Sequence, residues 1–245
     1  MALPKLTVMK HELSLPSTGE KITYRPFLVK EEKVLMMAMQ GGKASDMVKA
    51  LREIIQNCVE NDNISIDTLP MFDVEYIFLQ LRGRSIGEEI DIQYQLPDHV
   101  CEKDGDCDYV TKINVDEIKI VKNKKHKALI DITDKIKVNM RYPKIEMGAA
   151  MTDLGETEMV DATFDMIGEC IEYIMDGEEI HKTSDYTKEE VSTFLNSLSS
   201  KQFKNMQEFF ETMPKLQKKI TAECNKCGKK NERVLEGLTD FFALG

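Results

Sequence analysis

The sequence predicts an α+β fold in which helical bundle elements accompany a small antiparallel sheet, and three observations support this class. Apolar residues recur every three or four positions in the first third of the chain and again over residues 164–213, as in amphipathic helices. Between residues 90 and 141, short apolar segments are joined by charged turns, as in an antiparallel sheet with one solvated face. Strand-like segments also flank two pairs of cysteines: Cys101 with Cys107, and Cys224 with Cys227.

The N-terminal region is predicted to start with a hairpin and to continue as helices. Residues 11–15 and 21–25 are strand-like and enclose a turn sequence. A helix over residues 30–40 is stopped by Gly41 and Gly42, Ser45 can cap a second helix, and Asp73 opens a third. The predicted buried faces of the second and third helices consist of Met47, Leu51, Ile54, Ile55, Cys58, Val74, Ile77, Phe78 and Leu81.

A second helical block is predicted after a small, polar stretch at residues 147–160, which we interpret as a mobile loop or a linker. One helical stripe is ended by Gly177, and two capping boxes open further helices. The stripe consists of Phe164, Ile167, Ile171 and Ile174, and the boxes pair Thr187 with Glu190 and Ser199 with Gln202. The apolar tail at residues 238–245 either docks on its own domain or is offered to another subunit.

These patterns divide the chain into four regions. A hairpin with helices occupies residues 1–88, and an antiparallel β region with the first cysteine pair occupies 89–145. A helical region follows at 146–215, and the second cysteine hairpin with the apolar tail occupies 216–245.

The cysteine pairs predict a structural zinc site. Cys224 and Cys227 are separated by two residues and followed by glycine, a tight knuckle of the kind that tetrahedral zinc requires. Because strand-like segments place each pair at the tip of a hairpin, four thiolates from Cys101, Cys107, Cys224 and Cys227 would close a split zinc-ribbon-like site around Zn²⁺. His99 is close enough in sequence to replace Cys101 as a ligand.

Other roles for these cysteines have less support. Unliganded thiols remain an alternative, a redox pair lacks a thioredoxin-like βαβ context, and disulfides need an oxidising compartment. A calcium loop is rejected because Tyr109 stands where the turn glycine belongs and Val115 where the bidentate glutamate belongs. Cys58 and Cys170 fall on apolar helix faces, where we expect small buried hydrophobes.

Charge and motif content argue against several functional classes. With 33 Lys and Arg against 43 Asp and Glu, the net charge of −10 disfavours general binding to nucleic acid. No apolar run reaches the ~20 residues of a membrane span, and the N-terminus lacks a signal-peptide core, so we expect a soluble protein in a reducing cytoplasm. The four histidines show no metalloprotease spacing, and neither a nucleophile elbow nor a phosphate loop is present. We therefore expect no catalytic and no cofactor-binding residues.

Two stretches resemble the baseplate hub proteins of T-even-type contractile-tailed bacteriophages. The first runs from Leu13-Ser14-Leu15-Pro16-Ser17-Thr18-Gly19-Glu20-Lys21 to Tyr24-Arg25-Pro26-Phe27-Leu28-Val29-Lys30-Glu31-Glu32-Lys33. The second runs from Asp73 to Gly87 and contains Tyr76-Ile77-Phe78-Leu79-Gln80-Leu81-Arg82.

The resemblance implies a non-enzymatic structural or assembly role in the tail baseplate, with host cytoplasm as the place of assembly. Other hub proteins or the tape-measure protein are the implied partners, and no catalytic residue is transferred. The alternative is a zinc-ribbon adaptor acting on host transcription or nucleic acid, which would need a coherent basic or aromatic surface.

Overall fold

A computed structural model describes residues 7–61, 64–96, 108–147 and 154–243 of the chain. Within these residues, α-helices accompany three separate sheets in which every strand pair is antiparallel. The predicted α+β class is therefore confirmed.

The N-terminal region forms the predicted hairpin and three helices. Strands β1 and β2 pair with Leu13 opposite Ile22. Helix α1 ends at Gly41, and the capping residue Gly42 has a φ of 67°, the left-handed conformation that glycine tolerates best. The bounds are β1 (His11–Ser14), β2 (Lys21–Tyr24), α1 (Val29–Gly41), α2 (Ala44–Cys58) and α3 (Met71–Ser85).

Two helix starts differ from the prediction. Helix α2 begins at Ala44 with Lys43 in the capping position, so Ser45 lies inside the first turn and does not cap the helix. Helix α3 begins at Met71 after Pro70, which leaves Asp73 in the first turn, where it binds a different part of the chain. The faces predicted for both helices are confirmed, since the side chains named for them are buried or packed against the main core.

The largest sheet combines strands from the middle and the end of the chain. Its order is β11-β10-β4-β3, and β5 pairs with β10 as well. Strand β10 is long enough to pair with β5 at its beginning and with β4 at its end. The strands are β3 (Glu89–Tyr94), β4 (Tyr109–Asn114), β5 (Lys119–Val121), β10 (Lys215–Cys224) and β11 (Lys230–Glu236).

A second, four-stranded sheet has the order β6-β7-β8-β9 and packs against three helices. Both predicted capping boxes are confirmed: Thr187 N donates to Glu190 at 2.8 Å, and Ser199 N donates to Gln202 at 2.8 Å. The elements are β6 (Leu129–Asp131), β7 (Ile136–Met140), α4 (Glu156–Glu169), β8 (Ile171–Asp176), β9 (Glu179–Lys182), α5 (Lys188–Asn196) and α6 (Ser200–Thr212).

The helical stripe predicted across residues 164–174 is wrong in its second half. Helix α4 ends at Glu169, and Ile171–Asp176 forms strand β8 between β7 and β9. Isoleucine suits a strand better than a helix because its branched Cβ packs well on a pleated surface. The predicted loop at 147–160 is also shorter than expected, since α4 already begins at Glu156, while residues 148–153 lie outside the described ranges.

The buried side chains form two hydrophobic clusters. The main cluster joins the N-terminal hairpin, α2, α3 and the largest sheet, and the second lies between the four-stranded sheet and α4 to α6. Cys58 belongs to the first and Cys170 to the second, which confirms their predicted burial. Burial raises the pKa of Cys58 to about 11 and that of Cys170 to about 12, so both thiols are neutral at physiological pH.

Two buried carboxylates hold the N-terminal region together. Asp73 accepts hydrogen bonds from the amide of Ser17, at 3.0 Å, and from its hydroxyl, which ties the hairpin turn to α3. Glu31 accepts from the Arg25 guanidinium at 2.9 Å and from the Leu28 amide at 2.8 Å. Burial alone would raise the pKa of Glu31, but these hydrogen bonds outweigh it and lower the pKa to about 2.

The C-terminal segment docks on its own core as helix α7 (Gly237–Ala243), in which Leu238 and Phe241 are buried in the main cluster. Its first turn meets Glu75 of α3, which accepts a hydrogen bond from the Leu238 amide at 3.3 Å. Gly237 has a φ of 68°, and a Cβ there would lie 3.2 Å from the Glu75 carboxylate. Burial raises the pKa of Glu75 to about 7, with the nearby Glu236 carboxylate adding to the rise and the Leu238 amide opposing it.

We expect Glu75 to make stability fall as pH rises from about 4.5 to 7. The folded protein keeps the Glu75 proton across this window, whereas the unfolded chain has lost it, so the free energy of unfolding decreases with pH. Relative to Glu75→Gln, the wild-type protein should lose on the order of 3 kcal/mol across the window. Denaturant unfolding of both proteins at a series of pH values measures the difference.

Glu31→Gln is the matched control, because its effect has the opposite sign and a different window. The pKa of Glu31 is depressed in the folded state, so its contribution is present above pH 4.5 and is lost as pH falls toward 2. Parallel stability curves for the wild type and Glu75→Gln between pH 4.5 and 7 would contradict the role given to Glu75.

Candidate metal centre

The second cysteine pair lies at the turn between β10 and β11, and we name residues 224–228 the cysteine knuckle. Cys224 is the last residue of β10 and is buried, while Cys227 is half-buried in the turn and packs against the main cluster. The Gly228 amide donates to the Cys224 carbonyl at 3.0 Å, and the Cys224 amide donates to the Lys229 carbonyl at 2.9 Å. Gly228 has a φ of 73°, so the turn depends on a residue without a Cβ.

The cysteine knuckle is bonded to the start of β4. The Asn225 amide donates to the Asp108 carbonyl at 2.8 Å, and the Asp108 amide donates to the Asn225 side chain at 3.2 Å. Next to this pair, Cys224 stands opposite Tyr109 in the ladder between β10 and β4. The hairpin that ends in Cys224 and Cys227 is therefore adjacent to the strand that begins just after Cys107.

The strand predictions around both cysteine pairs are confirmed. Strands β3 and β4 pair antiparallel with Tyr94 opposite Tyr109, and β10 pairs with β11 over seven residue positions. The two hairpins lie side by side in one sheet through the contact of β10 with β4.

Only half of the predicted ligand set can be placed. Cys224 and Cys227 come together in the knuckle, whereas Cys101, Cys107 and the alternative ligand His99 lie outside the described residues. Over the described ranges, no group of three or more His, Cys, Asp or Glu side chains is arranged to hold a metal ion. The four-cysteine zinc site therefore stays a prediction, and the knuckle contains two of its four proposed ligands.

A polar and aromatic set in the same sheet links β3, β4 and β11, and no local feature of the sequence indicates it. The Tyr94 hydroxyl on β3 donates to the Asn231 side chain on β11 at 2.8 Å, across the two strands between them. The Tyr94 and Tyr109 rings stack with centroids 5.5 Å apart, and the Arg233 guanidinium lies 5.1 Å from the Tyr94 ring centroid. Burial raises the pKa of Tyr94, so the phenol stays neutral and can donate.

These contacts could be found only in three dimensions. Asp108 and Asn225, like Tyr94 and Asn231, are more than a hundred positions apart in the sequence, and neither pair has a local signature. The bond between Tyr94 and Asn231 links β3 to β11, and the bonds between Asn225 and Asp108 hold the knuckle beside the start of β4.

Comparison with known proteins gives one family match. The family model described as T4 bacteriophage base plate protein matches residues 8–243. Searches of the curated proteins and of the solved structures give no significant match. Of the helices that the structure describes, none has the length and apolar character to cross a membrane. The match covers nearly the whole chain, and it agrees with the resemblance seen in residues 13–33 and 73–87; this chain belongs to the T4 bacteriophage base plate protein family.

Proposed function

We propose that this baseplate protein is a non-enzymatic structural or assembly component of the baseplate hub, where it binds other hub proteins or the tape-measure protein. The observation that carries the proposal is the family match over residues 8–243. The assignment to the hub rests on the likeness of residues 13–33 and 73–87 to hub proteins of T-even-type phages. The protein would assemble in the host cytoplasm and act in the tail baseplate.

The titratable groups with shifted pKa values make contacts within the fold, which supports a structural role. Perturbed pKa values often mark catalytic groups, but ion-pair and hydrogen-bond networks in the fold also produce them. Here Glu31 is held by Arg25, Asp73 by Ser17, and Glu75 by the amide of Leu238. Each of these carboxylates joins two segments of the fold.

We also propose that Cys101, Cys107, Cys224 and Cys227 hold a structural Zn²⁺ ion. The cysteine knuckle offers two sulfurs on one tight turn, and Asn225 within it is hydrogen-bonded to Asp108. Asp108 directly follows Cys107 in the sequence. The bound ion would cross-link the two hairpins, and four thiolates would leave no open position for chemistry.

Proteomics of purified tails tests the hub role. A permanent subunit should appear in finished virions in a constant ratio to other baseplate proteins, whereas an assembly factor should appear only in baseplate intermediates. A tagged copy co-expressed with the hub proteins of the same phage should retain one or more of them through purification. Absence from both virions and intermediates, together with no retained hub protein, would contradict the proposal.

For the metal, elemental analysis should find about one zinc per chain in the purified protein. Cys227→Ser should lose the zinc and should lower the free energy of unfolding by several kcal/mol, on the order of what a structural site contributes. Cys227 suits this test because it is only half-buried, so the change removes little core packing.

Cys58→Ser is the matched control, since it alters a fully buried thiol away from the knuckle. This variant should keep its zinc whatever packing it loses. A chelator should destabilise the wild type and Cys58→Ser but leave Cys227→Ser unchanged. Equal zinc content in all three proteins would reject the site.

A further inference from the structure

Helix α1 exposes a group of large apolar side chains that its own fold does not cover. Val29 is 80% exposed, Met36 55%, Met37 63% and Met39 56%. We name these four residues the methionine face. Isolated exposed hydrophobes are common on protein surfaces, but four on one helix of 13 residues form a patch that needs an explanation.

The helical period separates the methionine face from the side that packs on the protein. Glu31 is buried on the inner side, where Val34 and Leu35 pack against the main cluster. At 100° per residue, Val29 and Met36 point almost directly away from that side, with Met37 and Met39 on either flank. The same period places the exposed Lys33 and Gln40 on the outer side, between Met36 and Met37. The helix therefore has one apolar side that holds it to the fold, and its solvent side carries large apolar side chains beside these polar ones.

The patch extends past the start of α1. The Phe27 amide donates to the Ser85 hydroxyl at 2.9 Å, which brings the start of α1 beside the end of α3. On the two sides of this bond, Leu28 is 41% and Ile86 57% exposed. The apolar surface thus continues from the methionine face toward α3.

The charges around this surface differ in sign from those of the whole chain. The chain has a net charge of −10, but Lys30, Lys33 and Lys43 are exposed on or next to α1. Against them, Glu31 is buried and paired with Arg25 and with Lys30, and Glu32 remains as an exposed carboxylate on the helix. Two cations therefore offset the one buried carboxylate, and Lys33 and Lys43 outnumber the exposed Glu32. A partner with negative charge beside its apolar residues would be complementary to this surface.

We propose that the methionine face is the docking surface for an amphipathic helix of another baseplate protein, with acidic residues beside its apolar stripe. The identity of the partner as a baseplate protein rests on the proposed function. Helix α1 spans about 20 Å, enough for three turns of a partner helix, and methionine side chains adapt to the shape of a helix laid against them. A second copy of the chain is a poorer occupant, because it would bring the same lysines to both sides of the interface.

Co-expression of tagged chain with the hub proteins of the same phage tests this proposal. Met36→Glu combined with Met37→Glu should reduce the recovered hub protein about tenfold, because it places charge in the centre of the contact. Lys33→Glu should reduce recovery less, with the larger effect at low salt. The matched control is Ile180→Glu with Val234→Glu, two side chains that are 58% and 52% exposed in the sheets, and it should retain wild-type recovery.

The outcomes separate this proposal from the proposed function. Wild-type recovery by the methionine variant would overturn the docking surface and leave the baseplate role intact. No recovery by the wild type would also overturn the docking surface, and it would contradict the baseplate role only if the protein were absent from virions and from baseplate intermediates as well. A photo-reactive benzoylphenylalanine at position 37 gives a second measurement that does not depend on how the charged variants fold. It should cross-link to an acidic, helical peptide of a hub protein, and cross-links confined to a second copy of this chain would overturn the proposal.

Discussion

The pairing of β10 with strands from the middle of the chain is the interaction on which the rest of the fold depends. Leu216 stands opposite Ile120 of β5, and Cys224 stands opposite Tyr109 of β4. The segment between β5 and β10 contains the whole four-stranded sheet and its helices, and it leaves and returns at neighbouring points of the largest sheet. The entropy cost of closing so long a segment grows only slowly with its length, and the segment has a hydrophobic cluster of its own.

Much of this fold can be predicted from local sequence signals. The parts that cannot be predicted depend on pairing between segments far apart in the sequence. The faces of α2 and α3, both capping boxes and the strands beside the cysteines follow from periodicity and from residues a few positions apart. Ile171 and Ile174 fit a helical spacing, so the sequence predicts a helix where the structure has strand β8. Only the pairing with β7 distinguishes strand from helix at these residues. The knuckle itself is visible as a spacing of cysteines, but its bond to Asp108 is not, since that contact has no local signature.

The methionines show why amino-acid composition alone does not distinguish a buried core from an exposed contact surface. Met140 and Met206 are buried in the second cluster, whereas Met36, Met37 and Met39 face solvent. Thioether side chains serve both environments because they are flexible and polarisable. Whether a methionine is buried or exposed depends on whether it lies on the packed side of its helix. That side is known only once the neighbouring elements are in place.

The buried Glu31 carboxylate connects this surface to the interior of the protein. Arg25 bonds both to Glu31 and to the carbonyl of Asn57 near the end of α2, so α1 is joined to its neighbouring helix by charged hydrogen bonds as well as by packing. Because these bonds lower the pKa of Glu31 to about 2, the carboxylate stays ionised and the contact persists at physiological pH. A helix held in this way is ordered before a partner arrives, and a preorganised surface loses less conformational entropy on binding.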